Sequence, residues 1–518
     1  MAVAAPEACG PEPRDGAPGR ALCIGLATAI LMWPAVVNGG VFFATDSIAY
    51  IRGPDQALAR LLGPGGATAW SARPMGLGYT PGQGEAGPAP AGRSQPMEGR
   101  SIYYGLLANL GARTGGFWLT VMVQALAAAL SLDLLRLGLG FTRRRTLVAM
   151  TLTAALLTPM AFFADCVMPD AWTPVAILCM AALVAGAERL SLADRIGALA
   201  LMSYAASVHT THPLLLAVMA LGAAGLLLLR VPLRLRAGRL GLAVAMALVA
   251  LTAGLAAGAA FDTAVTHVYG QAPLRPPFLT ARLVGDGRPG EPWLRAHCPA
   301  AAFHACNYVS RLPMATDAFL WSGDPVKSVF WTATPQERTA LGKEQFAFAR
   351  AVLADDPAGV ARQFLLDGAG QFADMSMLEF NHKDSVRVSM QDWMVGQDAA
   401  VWRSSLAYRK RWPTGVMEAI QLLAFFAAAA GLVVAAVSKA RPADPAIGDL
   451  RGRLLAAGAV ITVAVLANAF LCGGLSDIFG RYQARVSGCF ILVGLIALWA
   501  AAWPPRWRRL ATRPGPAP

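Results

Sequence analysis

The sequence predicts an all-α polytopic membrane protein, and three observations support that prediction. Of its 518 residues, 56% are hydrophobic and only 14% are charged, with a mean hydropathy of +0.48. This balance is too apolar for a soluble protein of this length. The apolar residues form runs of about 20 residues, the length of a helix that crosses a bilayer. Basic residues cluster in the short loops between these runs, as in membrane proteins.

About ten runs are long and apolar enough to be predicted as spans. The first run is too long for the core of a signal peptide and has no clear small-residue cleavage site, so we expect it to be retained. The run 196–209 is short, and either a tilted span or a segment that does not cross fits it. The predicted spans are 21–43, 116–138, 146–164, 171–188, 196–209, 212–229, 240–261, 416–438, 454–472 and 486–503.

Loop charges predict the orientation. With ten spans, the basic loops that follow every second span all lie on one side, which is cytoplasmic by the positive-inside rule, together with both termini. The formal net charge of +13 therefore reflects topology, and since no nucleic-acid motif accompanies it we expect no nucleic-acid partner. The predicted regions are a disordered N-terminus at 1–20, transmembrane regions at 21–261 and 416–503, and a cytoplasmic tail at 504–518.

Two long segments are predicted to lie outside the membrane. The first, 44–115, is rich in Gly and Pro in its middle. Helices are predicted at its two ends, over 54–62 with Pro54 in the first turn and over 101–113 as an amphipathic surface helix. The second segment, 262–415, has the composition of a soluble protein and predicts a small mixed domain. A helix capped by Thr334 is predicted to run to about Ala354.

Two cysteines in the second outer segment predict a disulfide. Cys298 and Cys306 are eight residues apart, and an oxidising compartment favours their pairing. A zinc site would combine them with His297 and His304, but the spacing matches no standard zinc pattern.

Several polar residues are predicted to meet at the outer ends of the spans. Asp46 follows the first span directly, between Thr45 and Ser47. It is either a helix cap or a functional carboxylate. Asp170 precedes a span and has the same two interpretations. The other candidates on this side are Asp165, His209, His212, Arg481, Tyr482 and Arg485.

Arg481 and Arg485 are four residues apart and thus share one face of a helix. They break the positive-inside pattern, which favours an anionic ligand over a lipid-headgroup contact. Guanidinium groups bind phosphate oxygens in a bidentate manner. We expect both arginines at the protein surface, where they contribute little to stability. This set of groups suits transfer from a phosphate-linked donor, with a carboxylate as general base or metal ligand, and histidines as acid, base or ligand.

The arrangement resembles the GT-C class of integral-membrane glycosyltransferases, which use polyprenyl-phosphate-linked sugars. The resemblance rests on Asp46 after the first span, helices in a long first outer loop, and Asp170 in the second outer loop. Short, closely connected middle spans and the pair Arg481-Tyr482 before a late span complete it. Ser47 stands where the class commonly has a second acidic residue, so metal binding by Asp46 stays open.

The resemblance implies sugar transfer from a polyprenyl-phosphate donor to an envelope glycan, lipid or protein, at the outer face of a bacterial inner membrane. Asp46 and Asp170 would be catalytic. Arg481, Arg485 and Tyr482 would bind the donor phosphate. The supporting residues would be Asp165, His209 and His212. A divalent cation is the one cofactor considered.

Two other classes of function stay open. A flippase or transporter for a lipid-linked sugar would place ionisable groups along a path through the membrane. The clear acid inside a predicted span, Asp133, lies three residues before Arg136, which predicts an ion pair within one helix. A membrane scaffold would bind a partner through segment 262–415, in which we recognise no family motif.

We predict that Cys298 and Cys306 are oxidised in the native protein, because they lie on the outer side. The loop closure should contribute roughly 2–3 kcal/mol to the stability of this segment. A membrane-impermeant alkylating reagent should modify both residues in intact cells only after a reductant is added. Modification without reductant would contradict the predicted pairing.

Overall fold

The structure is a computed structural model that describes residues 17–63, 68, 70, 97, 99–230, 236–391, 394, 396–438 and 445–502. The described residues form 21 α-helices and no strand, apart from isolated β-bridges that join Phe42 to Cys166 and Met97 to Leu274. The all-α prediction is therefore confirmed. Most of the predicted disordered N-terminus, most of the Gly- and Pro-rich loop and the tail lie outside the described residues. Residues 17–20 belong to the first helix.

Eleven helices come before the helices of the second outer segment, and the last of them extends into it. They are α1 (Ala17–Leu31), α2 (Trp33–Asn38), α3 (Ser47–Leu62), α4 (Ile102–Thr114), α5 (Trp118–Leu139), α6 (Arg144–Leu157), α7 (Met160–Ala164), α8 (Trp172–Gly186), α9 (Leu192–Val208), α10 (Thr211–Gly225) and α11 (Ala237–Tyr269). The outer segment contains α12 (Phe278–Val284), α13 (Gly290–His297), α14 (Thr316–Trp321), α15 (Pro335–Asp355), α16 (Pro357–Ala373), α17 (Asp384–Gln391) and α18 (Gly396–Ser404). The chain ends with α19 (Thr414–Val437), α20 (Pro445–Leu475) and α21 (Gly480–Ala502).

Within the described residues, seven helical stretches are long and apolar enough to cross a membrane. This indicates a multi-pass protein in a lipid bilayer, but it is fewer than the ten predicted spans. The predicted span 146–164 is interrupted at Thr158 and Pro159, which separate α6, of 14 residues, from α7. The predicted spans 196–209 and 212–229 correspond to α9 and α10, which have 17 and 15 residues.

Ion pairs and a hydrogen bond join the ends of several helices at one end of the bundle. Arg20 of α1 lies 2.7 Å from Asp133 of α5 and 2.7 Å from Asp194 of α9. Arg453 of α20 donates to the Leu139 carbonyl at the end of α5, at 2.9 Å. These residues neighbour the basic loops, so the predicted cytoplasmic ends meet at one end of the bundle. The candidate functional residues lie at the opposite helix ends.

The first outer loop differs from the prediction at its start. The helix begins at Ser47, and Pro54 lies inside it. An interior proline cannot donate the usual bond to the carbonyl four residues earlier, here that of Tyr50. Gly105 of α4 packs against this site, because a Cβ there would lie 2.7 Å from the Tyr50 oxygen. The helix predicted over 101–113 is present as α4, with the Ser101 side chain accepting from the backbone N–H of Tyr103.

The mixed character predicted for 262–415 is not confirmed, because the described part of this segment contains helices, turns and one isolated β-bridge but no strand. Residues 274–352 have a hydrophobic core of their own, next to which Cys298 and Cys306 form a disulfide. Residues 377–412 instead share the core of the membrane helices. There Phe380 packs its ring against Phe42, with 5.4 Å between the ring centroids. The predicted cap is present in α15, where Thr334 and Glu337 form a reciprocal capping box.

We predict opposite effects for two glycines one turn apart on α11. A Cβ at Gly254 would lie 2.7 Å from the Cβ of Ala206, whereas one at Gly258 meets nothing within 4 Å. Gly254→Ala should therefore lower stability by about 1–3 kcal/mol through overpacking. Gly258→Ala should raise it by about 0.5–1 kcal/mol, because alanine favours the helix. Thermal unfolding in detergent measures both, and equal effects would contradict the close contact between α9 and α11.

Candidate functional site

The segment before Asp46 is held by backbone bonds to the turn between α7 and α8. The backbone N–H of Phe42 donates to the Asp165 carbonyl, and that of Val167 donates to the Phe42 carbonyl, both at 2.9 Å. The buried Ser47 hydroxyl donates to the Val167 carbonyl at 2.8 Å. The hydroxyl that follows Asp46 therefore has a structural role. Together these bonds place Asp46 beside the start of α8.

Asp46 occupies the N-cap position of α3, but its side chain makes no capping bond. Its Oδ1 instead accepts from Nη2 of Arg100 at 2.6 Å, and its Oδ2 accepts from Nη2 of Arg481 at 3.2 Å. Arg481 also lies 3.4 Å from Glu379. A chain of alternating charges thus connects Arg100, Asp46, Arg481 and Glu379. The contacts favour an electrostatic function for Asp46 over helix capping.

The two arginines set the protonation of Asp46. Burial raises the pKa of this carboxyl, but the charges of Arg100 and Arg481 outweigh burial and hold the pKa below its ordinary value. Asp46 is therefore a carboxylate at neutral pH, and a weak base as long as both guanidinium groups stay bound. At two nearby carboxyls, those of Asp317 and Asp477, the effect of burial prevails and raises the pKa above its ordinary value.

A second pair lies deeper in the protein. Nη1 of Arg485 donates to Oδ1 of Asp170 at 2.8 Å, and the two side chains are 0% and 3% exposed. Nη2 of Arg485 also donates to Asn468 at 3.1 Å. The expectation that Arg485 lies at the surface is therefore wrong. Asp170 is not an N-cap residue, since Met168 and Ala171 occupy the N-cap positions of the 3₁₀ turn and of α8. Its contact with Arg485 is a buried ion pair, so the simple cap interpretation does not apply.

Tyr482 lies between the two arginines. Its ring centroid is 5.1 Å from Cζ of Arg481 and 5.1 Å from Cζ of Arg485, within the range of cation–π contacts. All three residues belong to the first turns of α21, which begins at Gly480. A helix N-terminus disfavours positive charge. The carboxylates of Asp46 and Asp170 compensate for this.

The two histidines differ in which ring nitrogens are hydrogen-bonded. His212 is buried, with Nε2 2.7 Å from the Thr173 hydroxyl and Nδ1 2.6 Å from the Ala205 carbonyl. A carbonyl only accepts, so Nδ1 carries the proton and both ring nitrogens are engaged. His209 stacks on this ring at 4.9 Å, and its Nδ1 accepts from the Thr211 backbone N–H. This leaves the proton on Nε2.

Asp165 does not join the other candidates. Its Oδ2 accepts from the backbone N–H of Ala35 at 2.7 Å, in the first turn of α2. Asp165 therefore caps a helix that lies 130 residues earlier in the chain. Burial raises the pKa of this carboxyl well above its usual range. Its position supports a structural role.

Sequence reasoning missed Arg100 and Glu379. Arg100 precedes a correctly predicted helix, and its guanidinium carbon lies 5.9 Å from the ring centroids of Tyr50 and Trp321. Its position on the outer side was a usable signal, as for Arg481, but the outer loop contains other arginines. Glu379 lies in a 3₁₀ turn with no motif around it. Only the folded chain brings these residues together.

A divalent cation has no ready ligand set here. Among the described residues, no three His, Cys, Asp or Glu side chains are arranged to hold a metal ion. The neighbours of Asp46 are arginines, which repel a cation. The geometry fits an anionic ligand better. Comparisons with protein-family models, curated proteins and solved structures find no match for this chain.

We predict different outcomes for the two arginines of α21. Arg485→Ala leaves Asp170 buried without its partner and should cost about 3–5 kcal/mol. Arg481→Ala should cost much less, because Asp46 keeps Arg100 and is partly exposed. Thermal unfolding and the yield of folded protein measure both. The double variant Asp170→Asn with Arg485→Met serves as control, since it removes both charges and should recover part of the loss.

Proposed function

We propose that this protein is a membrane glycosyltransferase that moves a sugar from a polyprenyl-phosphate donor to an envelope acceptor. The supporting observation is that Asp46 and Arg481, 435 residues apart in sequence, pair at the end of the helix bundle opposite the basic loops. Arg100 completes this group from a third segment. Partly buried arginines beside an ionised carboxylate combine phosphate recognition with proton transfer in one place.

The proposed reaction starts from the state in which Asp46 is paired with Arg100 and Arg481. The donor phosphate competes with Asp46 for Arg100 and Arg481, because both arginines can turn their donors to phosphate oxygens. As the guanidinium groups move to the phosphate, the pKa of Asp46 rises towards that of a buried carboxyl, and the group becomes a better base. It then takes the proton of the acceptor hydroxyl. The arginines neutralise the phosphate that leaves the sugar.

The same proposal includes ten crossings of a bacterial inner membrane with both termini in the cytoplasm. Its support is the course of the three shorter helices. α9 starts beside Arg20 at the basic end and finishes at His209 near the candidate site. α10 returns from His212, and α6 runs from the basic residues at 143–145 to Thr158. α9 and α6 thus start at the basic end and α10 starts at the opposite end, as expected for three further crossings.

Asp133 argues against a transport path. It lies at the basic end, where its carboxylate is bound by Arg136 at 2.6 Å and by Arg20 at 2.7 Å. A transported headgroup would need ionisable groups that stay available along the membrane interior. Asp133 is fully used by its two partners and holds α1 to α5.

We predict that Asp46→Asn abolishes transfer while the protein still folds. Asparagine keeps the size of the side chain but neither takes a proton nor balances two arginines. Losing a general base typically costs about 100–10,000-fold in rate. The measurement is transfer of radiolabelled sugar from polyprenyl-phosphate donors by the purified protein in nanodiscs.

Asp384→Asn is the control, because Asp384 is an exposed carboxylate whose side chain is 77% accessible and pairs with Lys410. It should leave transfer unchanged. If Asp46→Asn transfers sugar at a near-normal rate, Asp46 is not the base and the proposed site fails. If the unmodified protein moves the donor across the bilayer without transferring sugar, the protein is a transporter.

A further inference from the structure

α16 presents an apolar row to its surroundings, although its sequence lies in the segment predicted to be a soluble outer domain. Leu365 and Leu366 are 59% and 50% exposed. The neighbouring outward residues are Ala361, Arg362, Ala369 and Ala373. No acidic residue belongs to this row. The acid of the same helix, Asp367, points inward to Arg288 and Arg282, each at 3.0 Å.

The inner side of α16 packs directly on α20. A Cβ at Gly368 would lie 2.1 Å from the ring of Phe470, and one at Gly473 would lie 2.5 Å from the Asp367 carbonyl oxygen. The ring of Phe364 stacks on that of Phe470 at 5.7 Å. Glycines thus let the backbones approach, as in helix pairs within membranes. α16 is a close neighbour of a candidate span.

The contacts of Phe372 locate α16 along the spans. Its ring lies 6.1 Å from that of Phe425 in α19, and Phe425 stacks on Phe490 of α21 at 4.7 Å. Phe425 is eleven residues from the first residue of α19, which is about 16 Å along a helix. The ring of Phe372 therefore reaches between the spans, inside their outer ends, while the end of α16 lies beside the start of α21. Beside Phe425, Leu422 and Phe426 of α19 are also exposed.

We propose that α16 is seated in the outer leaflet of the bilayer, with Leu365 and Leu366 among the lipid chains and Arg362 at the headgroup phosphates. An exposed apolar row continuous with the surface of a span has lipid as its natural surroundings. A long basic side chain on such a row reaches back to the headgroups. This inference does not depend on the proposed transfer reaction.

The proposed position of α16 in the bilayer affects the candidate site. Gln371 of α16 donates to the Phe479 carbonyl and accepts from its backbone N–H, both at 2.9 Å. Arg282 links Asp367 of α16 to Asp477 at 3.0 Å. α16 therefore holds the loop that starts α21, two residues before Arg481. Through this loop, contact of α16 with lipid sets the depth of Arg481 relative to the bilayer.

The test is the accessibility of spin labels on the full-length protein in lipid nanodiscs. Single nitroxide labels are placed through Leu365→Cys and Ala369→Cys, and spectra of the unsubstituted protein correct for its own cysteines. We expect both labels to collide more often with oxygen, which partitions into lipid, than with a water-soluble nickel chelate. Ala369→Cys is a small change at an exposed position and gives the reading even if Leu365→Cys folds poorly.

Two reference positions frame the result. Leu423→Cys replaces a 72% exposed residue of α19 and should give the lipid pattern. Gln336→Cys lies in the first turn of α15, at its far end from α16, and should give the reverse pattern. If the labels at 365 and 369 behave like the label at 336, α16 lies in water and the proposal is overturned.

Discussion

The buried pair of Asp170 and Arg485 is the interaction on which the outer end of the bundle depends. Both side chains are almost fully buried, and an unpaired charge at such a depth costs several kcal/mol. The pair therefore requires the start of α8 and the start of α21 to meet in one register. Asn468 of α20 binds the same guanidinium, so a third helix is held at this point. Arg481, one turn before Arg485, is thereby directed towards Asp46.

The same residue type serves two purposes at the two ends of the protein. At the basic end, arginines such as Arg20 and Arg453 join helix ends by binding carboxylates and carbonyls of other helices. At the opposite end, Arg485 has this structural role, whereas Arg481 shares its donors between Asp46 and Glu379 at 3.2 and 3.4 Å. Longer contacts to two partly exposed acids are easier to exchange for a ligand than one short, dry pair. The division between a structural and an exchangeable arginine follows from burial.

Hydropathy was sufficient to predict the helical class and the multi-pass membrane character, because the length and composition of apolar runs are local properties of the chain. It was insufficient where tertiary contacts decide. The partner of Arg485 is 315 residues away, so its burial has no local signature. Pro54 suggested the start of a helix, but it lies inside α3. Gly105 of α4 packs against the Tyr50 carbonyl, to which Pro54 cannot donate a hydrogen bond. The composition of segment 262–415 suggested a soluble domain, but Asp367 and Gln371 of α16 face inward to partners in the fold.

These contacts form a continuous path from the lipid through α16 of the outer segment to the candidate site. The apolar row of α16 has lower free energy in lipid than in water, and that preference holds the helix against α20 at a fixed depth. Gln371 then fixes the loop before α21, and α21 carries Arg481 to Asp46. Because the resting pair lowers the pKa of Asp46, the carboxylate gains basicity only when another anion takes Arg481. The proposed donor, an anion presented at the depth of lipid headgroups, would satisfy both conditions. In this proposal the membrane contributes to selecting the ligand as well as holding the protein.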